Sequence, residues 1–109
     1  MTKVKILKNK GHIVDIECDG HTGYGVQGED IVCASLSSIV QTAALGLLYE
    51  AQVQIDMQRD EARGYIHIRI PSGLQSTTQI KVDAILNTML YGIADLYEGF
   101  SDFIELEVK

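Results

Sequence analysis

The chain has 109 residues, a length that allows one domain and hardly a second. With 46% hydrophobic and 22% charged residues it can fill a core, which excludes an intrinsically disordered chain. Nine basic and fifteen acidic residues leave a net charge of −6. This balance argues against a protein that tracks nucleic-acid phosphates, which needs a dense basic face, and it favours a cationic protein or peptide as partner.

Export and membrane insertion are not indicated by the sequence. No segment approaches the roughly 20 apolar residues that cross a bilayer. The N-terminus alternates lysine with apolar residues and has no continuous apolar stretch. We therefore expect a cytoplasmic protein without a membrane partner, in which Cys18 and Cys33 are free thiols.

Five segments alternate apolar and polar residues, which is the period of a half-buried strand. Asn9-Lys10-Gly11 predicts a hairpin turn after the first of them. Residues 60–64 predict a second hairpin, between the third and fourth strands. The predicted strands are 2–8, 12–18, 53–59, 65–70 and 103–108.

Two apolar stripes with helical spacing stand between these strands. The Ser76-Thr77-Thr78-Gln79 segment resembles a capping box at the start of the second helix, and Gly99 can close its end. The order ββαββαβ predicts a single α+β domain over residues 1–109, with a mostly antiparallel sheet carrying both helices. The stripes are Leu36, Ile39, Val40, Ala43, Ala44, Leu47 and Leu48, and Val82, Ile85, Leu86, Met89, Leu90, Ile93 and Leu96.

The unusual segment, 19–37, combines a glycine-rich stretch with the start of the first helix. Its four glycines are typical of a chain that moves or adopts positive φ. The pattern puts Cys33 in the first turn of the helix, where unpaired N–H groups and the positive end of the dipole favour a thiolate. We therefore predict a reactive nucleophile behind a mobile loop. The glycines are Gly20, Gly23, Gly25 and Gly28.

His21, which precedes Cys33 by twelve residues, is the candidate base. Asp30 has two possible roles: an N-cap that accepts the N–H of Val32 or Cys33, or a third member of a triad that orients His21. Ser37 follows Cys33 by one turn and can share its face. N–H groups of the first turn, including that of Cys33, would form an oxyanion hole. On the residues alone, a buried structural cysteine beside a loop histidine stays open.

The same stretch closely resembles the ribosomal-processing cysteine protease family, called Prp. The resemblance extends along the whole chain in length and element order. It implies that His21 and Cys33 form a catalytic dyad, with Asp30 and Ser37 as supporting polar groups. The matching residues are Gly20-His21, Gly28, Asp30, Ile31-Val32-Cys33-Ala34 and Ser37.

The resemblance also implies a substrate. Members of this family remove an N-terminal extension from ribosomal protein L-twenty-seven and cut after a paired-phenylalanine motif. They are homodimers with an α+β fold, and their glycine-rich loop moves to admit the peptide. We expect no cofactor, and the acidic charge balance predicts no direct contact with nucleic acid.

Other interpretations of the chemistry remain. A non-proteolytic thiol hydrolase would use the same Cys–His pair on another carbonyl, and a ribosome-assembly interaction protein would only bind with the loop. Zinc ligation by Cys18, His21, Cys33 and His12 lacks a second ligand pair of short spacing, so we expect no metal. Cys18 is expected in the core, His67 on a sheet face and His12 towards solvent.

Overall fold

The computed structural model describes residues 1–20 and 29–109, and at positions 29 and 30 it describes the backbone alone. The element order is ββαββαβ, as predicted. A π-helical turn, Gly46–Glu50, extends the first helix. The strands are β1 (Thr2–Asn9), β2 (His12–Asp19), β3 (Asp56–Asp60), β4 (Tyr65–Arg69) and β5 (Ile104–Val108), and the helices are α1 (Glu29–Leu45) and α2 (Ser76–Gly99).

The five strands form one mixed sheet in the order β3-β4-β2-β1-β5. Every neighbouring pair is antiparallel except β1 and β5, which are parallel. The parallel pair arises because α2 carries the chain from β4 past β2 and β1 to the other side of β1, a crossover that parallel strands require. The predicted α+β class with a mostly antiparallel sheet is confirmed.

Both predicted hairpins are present. Lys10 and Gly11 have φ values of 55° and 82°, the two positive values of a type I′ turn, whose twist matches that of the flanking strands. The β3–β4 turn ends at Gly64, with φ of 68°, whose N–H donates to the Glu61 carbonyl at 3.2 Å. Glycine suits this last position because a Cβ is strained at positive φ.

The core lies between one face of the sheet and the two helices. Burial of each large aliphatic side chain there stabilises the fold by about 1.5–3 kcal/mol. Leu48, predicted in the first stripe, is 42% exposed, because the π-helical turn changes the residue period after Leu45. The largest fully buried side chains are Ile6, Ile16, Leu36, Leu47, Ile68, Leu86, Ile93 and Ile104.

The segment Ile31–Glu50 is long and apolar enough to cross a membrane by length and composition. The expectation that no segment approaches such a length is therefore wrong. Val32, Leu36, Val40 and Leu47 from this segment are fully buried in the hydrophobic core. The apolar composition of α1 thus serves packing against the sheet, which is the requirement on a core helix.

The third strand begins later than predicted. Val53 is buried outside the sheet, and its N–H donates to the Leu47 carbonyl at 2.9 Å. Gln52 before it has a φ of 56°, which no strand allows. The alternation of residues 53–59 therefore combines a packed connection with the five-residue strand β3.

The predicted capping box at α2 is wrong. Gln75 is the N-cap, no side chain caps the helix, and Ser76 is already helical. The Gln79 side chain donates to Asp83 at 2.8 Å and does not reach back to the helix start. Gly99 does end α2, as predicted.

Candidate active site

A cavity of about 210 Å³ lies where β2 ends, beside α1 and the β3–β4 turn. Leu36 and Ile66, both buried, supply an apolar wall. The exposed Arg59, Asp60 and Glu61 supply a charged wall. The cavity therefore combines room for an apolar side chain with a polar rim, as ligand sites do.

Cys33 lines this cavity from the fifth position of α1 and is half-buried. Its Sγ atom lies 3.1 Å from the Thr2 hydroxyl, at hydrogen-bonding distance. Thr2 also lines the cavity. A thiol that borders a cavity is accessible to a bound molecule, which a nucleophile requires.

The start of α1 differs from the sequence prediction. The helix begins at Glu29, so Cys33 lies in the second turn, not in the first. A helix leaves only its first few backbone N–H groups unpaired, and the N–H of Cys33 comes after them. The Cys33 N–H therefore cannot contribute to an oxyanion hole formed by these unpaired groups. Asp30 is the second helical residue and hence not the N-cap; its side chain lies outside the described residues.

His21 lies outside the described residues, as do Gly23, Gly25 and Gly28. Gly20, which directly precedes His21, lines the cavity. Its N–H donates to the Gly64 carbonyl at 2.8 Å. The chain segment that carries His21 therefore leaves β2 from the wall of the cavity that holds Cys33.

Ser37 lines the same cavity as Cys33, as its position one turn later predicted. Its Oγ accepts a hydrogen bond from Nε2 of Gln41 at 2.5 Å. A serine hydroxyl that accepts one bond still carries a proton to donate. Ser37 can thus present a donor to the cavity.

Cys18 borders the same cavity but is more deeply buried than Cys33. Its side chain is 4% exposed, as predicted for a core residue. Burial, and after it the charge of Glu17, raises the pKa of the Cys18 thiol to about 12. Cys18 is therefore a protonated, unreactive thiol near neutral pH.

A polar cluster on the outer face ties the β3–β4 turn to β2. The Tyr65 hydroxyl donates to Glu17 at 2.7 Å, and Arg63 donates to Asp19 at 2.8 Å. The guanidinium also lies 4.3 Å from the centre of the Tyr65 ring, a cation–π distance. The bond to Glu17, and then burial, raises the pKa of Tyr65. These contacts hold the turn that forms the charged wall.

The other two histidines lie elsewhere. His67, on the sheet face opposite the helices, bonds Asp15 at 2.9 Å, as expected for a face residue. His12, expected towards solvent, is half-buried and pairs with Asp83 at 2.9 Å. Among residues 1–20 and 29–109 no group of three or more His, Cys, Asp or Glu side chains could hold a metal ion.

Several lining residues were missed by sequence reasoning, namely Thr2 and the charged residues of the β3–β4 turn. Their place in the site depends on strand order, which a period-2 pattern does not contain. Thr2 did carry a signal, because it is the polar member of the alternation that continues with Val4 and Ile6. A polar side chain at a predicted core position requires a partner.

An accessible cysteine in a cavity with an apolar and a charged wall, at the end of the strand that precedes His21 in the sequence, indicates a cysteine hydrolase as the class of protein. The family model of cysteine protease Prp matches residues 1–105. The chain therefore belongs to the Prp family of cysteine proteases, and the predicted family and enzyme class are confirmed.

Relatives agree over nearly the whole chain. A Staphylococcus aureus protein described as ribosomal processing cysteine protease Prp is 28% identical over 103 residues, 94% of this chain and 93% of the relative. The crystal structure of Prp from S. aureus with a substrate peptide matches with a TM-score of 0.87 and 29% identity, covering 100% of both chains. Prp from S. aureus with a covalently linked product peptide matches with a TM-score of 0.83, 29% identity and the same coverage.

Proposed function

We propose that the enzyme removes the N-terminal extension of ribosomal protein L-twenty-seven, with Cys33 as nucleophile and His21 as acid and base. The observation that carries the proposal is the Cys33 thiol in the wall of a cavity with an apolar side. A relative described as a ribosomal processing protease, and its structure with a covalently linked product peptide, support the same chemistry.

The reaction is acyl transfer in two halves. His21 accepts the thiol proton, and the Cys33 thiolate attacks the carbonyl carbon of the scissile bond. His21 then gives that proton to the leaving amine as the carbon–nitrogen bond breaks, which leaves an acyl-enzyme. In the second half His21 takes a proton from water, and the hydroxide attacks the thioester carbon. The carbon–sulfur bond then breaks, the carboxyl product leaves, and His21 returns its proton to the Cys33 thiolate.

The negative oxygen of the tetrahedral intermediate needs donors. Free N–H groups at the start of α1, which begins at Glu29, supply them. The Ser37 hydroxyl, held by Gln41, adds a donor from the next turn. Of the two roles weighed for Asp30, its place inside the helix favours the orientation of His21.

Substrate selection follows from the two walls of the cavity. Leu36 and Ile66 suit a phenylalanine of the paired-phenylalanine motif. In the charged wall Arg59 pairs with Glu61, and Asp60 leaves one net negative charge. Together with the net charge of −6, this wall suits a basic ribosomal protein. The glycine-rich segment 22–29, which the sequence predicts to admit the peptide, lies outside the described residues except for the backbone of Glu29. The enzyme acts in the cytoplasm, where its substrate is made, and contacts neither nucleic acid nor membrane.

The proposal includes a homodimer. A groove of about 670 Å³ between α1 and α2 is lined by apolar and small side chains, among them Ile39, Ala43, Ile85 and Met89. A second copy of this chain would cover it. Sedimentation should give a dimer for the wild type and a monomer for Ile85→Glu. A monomeric wild type at micromolar concentration contradicts this part.

The test of the function is cleavage of the extended ribosomal protein, read by mass spectrometry. The wild type should cut after the paired phenylalanines, and Cys33→Ala should not cut while retaining its circular dichroism spectrum. Cys18→Ala is the matched control, since it removes the other thiol that borders the cavity, the buried one, and should still cut.

Two results contradict the proposal. If Cys33→Ala still cleaves the substrate, Cys33 is not the nucleophile. Hydrolysis of a simple thioester by the wild type, with the extended ribosomal protein left intact, identifies a thiol hydrolase of another kind.

A further inference from the structure

Thr2 is the one buried polar side chain in the part of the chain whose side chains the structure describes, with 2% exposure. Its Oγ1 lies 3.1 Å from Sγ of Cys33, although 31 residues separate the two. A buried hydroxyl costs free energy unless it is hydrogen-bonded. The pairing with Cys33 therefore accounts for a polar residue at a core position.

The backbone holds this hydroxyl in place. Thr2 begins β1, which lies between β2 and β5, and it pairs with Ile104 in the parallel register. Its N–H donates to the Phe103 carbonyl at 2.9 Å. Like Val4 and Ile6, its side chain lies on the buried face of the strand. The position of the hydroxyl relative to α1 is thus set by the sheet.

The chemistry of the pair depends on the protonation of sulfur. A thiolate has no proton to donate, so a hydroxyl beside it must be the donor. A hydrogen bond to an ionised acceptor is about twice as strong as one between neutral groups. The Thr2 hydroxyl therefore favours the thiolate over the thiol.

We propose that Thr2 is a positioning residue of the protease: its hydroxyl donates to the Cys33 thiolate, stabilises it and holds Sγ towards the cavity. This inference rests on the proposed role of Cys33 as nucleophile. It adds to the site a side chain from the first strand.

The stabilised thiolate has a distinct kinetic signature. Nucleophilicity falls as a thiolate becomes less basic, with a Brønsted coefficient of about 0.4–0.5. Removal of the hydroxyl should make the Cys33 thiolate scarcer at low pH and more nucleophilic once formed. It should also raise the plateau rate at high pH by about threefold and lower the rate at pH 6 by about threefold. A purely structural role of Thr2 would not change the alkylation rates at low and at high pH in opposite directions.

The experiment compares iodoacetamide alkylation of Cys33, followed by peptide mass spectrometry from pH 5 to 10, in three proteins. Thr2→Val keeps the shape of the side chain and lacks the hydroxyl, whereas Thr2→Ser keeps the hydroxyl. The wild type and Thr2→Ser should share one profile, and Thr2→Val should show the shifted one. The titratable and charged residues that line the cavity with Cys33 are Cys18, Arg59, Asp60, Glu61 and Tyr65, and Glu29 and Asp30 precede Cys33 on its helix. All of them are unchanged in the variants.

An unshifted profile for Thr2→Val overturns the proposal, and so does an equal shift in both variants, which indicates packing alone. If the valine variant does not fold, Thr2→Ala serves as the second protein without a hydroxyl. Alkylation needs no peptide substrate. If the wild type fails to cleave the ribosomal protein, the proposed function is wrong. The alkylation profiles of the Thr2 variants would still test the role of Thr2.

Discussion

Replacement of Gly20 by alanine should damage both the fold and the site. A Cβ at this position would lie 2.6 Å from the Gly64 carbonyl oxygen and 3.2 Å from the Gly64 Cα. Both are backbone atoms, so no side-chain rotation relieves the contact. Since non-bonded heavy atoms pack at about 3.5–4.0 Å, the turn that ends at Gly64 must move by about 1 Å.

The displacement of the turn lowers the unfolding free energy through two contributions. It breaks the bond from the Gly20 N–H to the Gly64 carbonyl, now 2.8 Å long, which contributes about 0.5–1.5 kcal/mol. Overpacking strain adds about 1–3 kcal/mol. We expect Gly20→Ala to lose about 1.5–4.5 kcal/mol of unfolding free energy.

Urea unfolding and peptide cleavage together check this prediction. The turn carries the charged wall of the cavity, and a misplacement of 1 Å can cost about 100-fold in rate. Cleavage by the folded fraction of Gly20→Ala should therefore fall as well. Gly99→Ala is the control, since its Cβ meets nothing within 4 Å. Wild-type unfolding and cleavage in Gly20→Ala would refute the reasoning.

Cys18 supports two further predictions. Burial raises the pKa of its thiol from 9.0 to about 12. The preference of the folded state for the protonated thiol therefore stabilises the fold fully below pH 9. This stabilisation is lost as the pH rises towards 12, by up to about 1.4 kcal/mol per pH unit. The urea midpoint of Cys18→Ala should thus fall less steeply above pH 9 than that of the wild type, and parallel curves would contradict this. At pH 7.5 iodoacetamide should label Cys33 in the native protein and Cys18 only after unfolding, so equal labelling of both thiols would be inconsistent with the structure.

Local patterns predicted the elements well where local chemistry decides them. The alternation of β1 and the positive φ values at Lys10 and Gly11 agree with the predicted hairpin. The prediction failed at Val53, because a contact with the Leu47 carbonyl decides that backbone. Such a contact is tertiary and overrides strand propensity.

The candidate site, like the fold, could be predicted from local patterns only in part. Cys33 and Ser37 could be placed together because the helix period puts them on one face. Thr2 could not be placed beside Cys33, because that contact requires β1 inside the sheet and α1 across it. The order of strands arises from the crossover of α2, which no local pattern encodes.

The start of α1 changes how a thiolate can be favoured in this fold. The attraction of a helix N-terminus for an anion falls off within the first turn. Cys33 stands in the second turn, since the helix begins at Glu29. A cysteine in the second turn therefore depends more on a side-chain donor to stabilise its thiolate than a cysteine in the first turn would. The Thr2 hydroxyl lies beside the sulfur, where such a donor is needed. In the proposed mechanism the unpaired N–H groups of residues 29–31 serve the substrate oxygen, and the sulfur and the oxyanion would then have different donors.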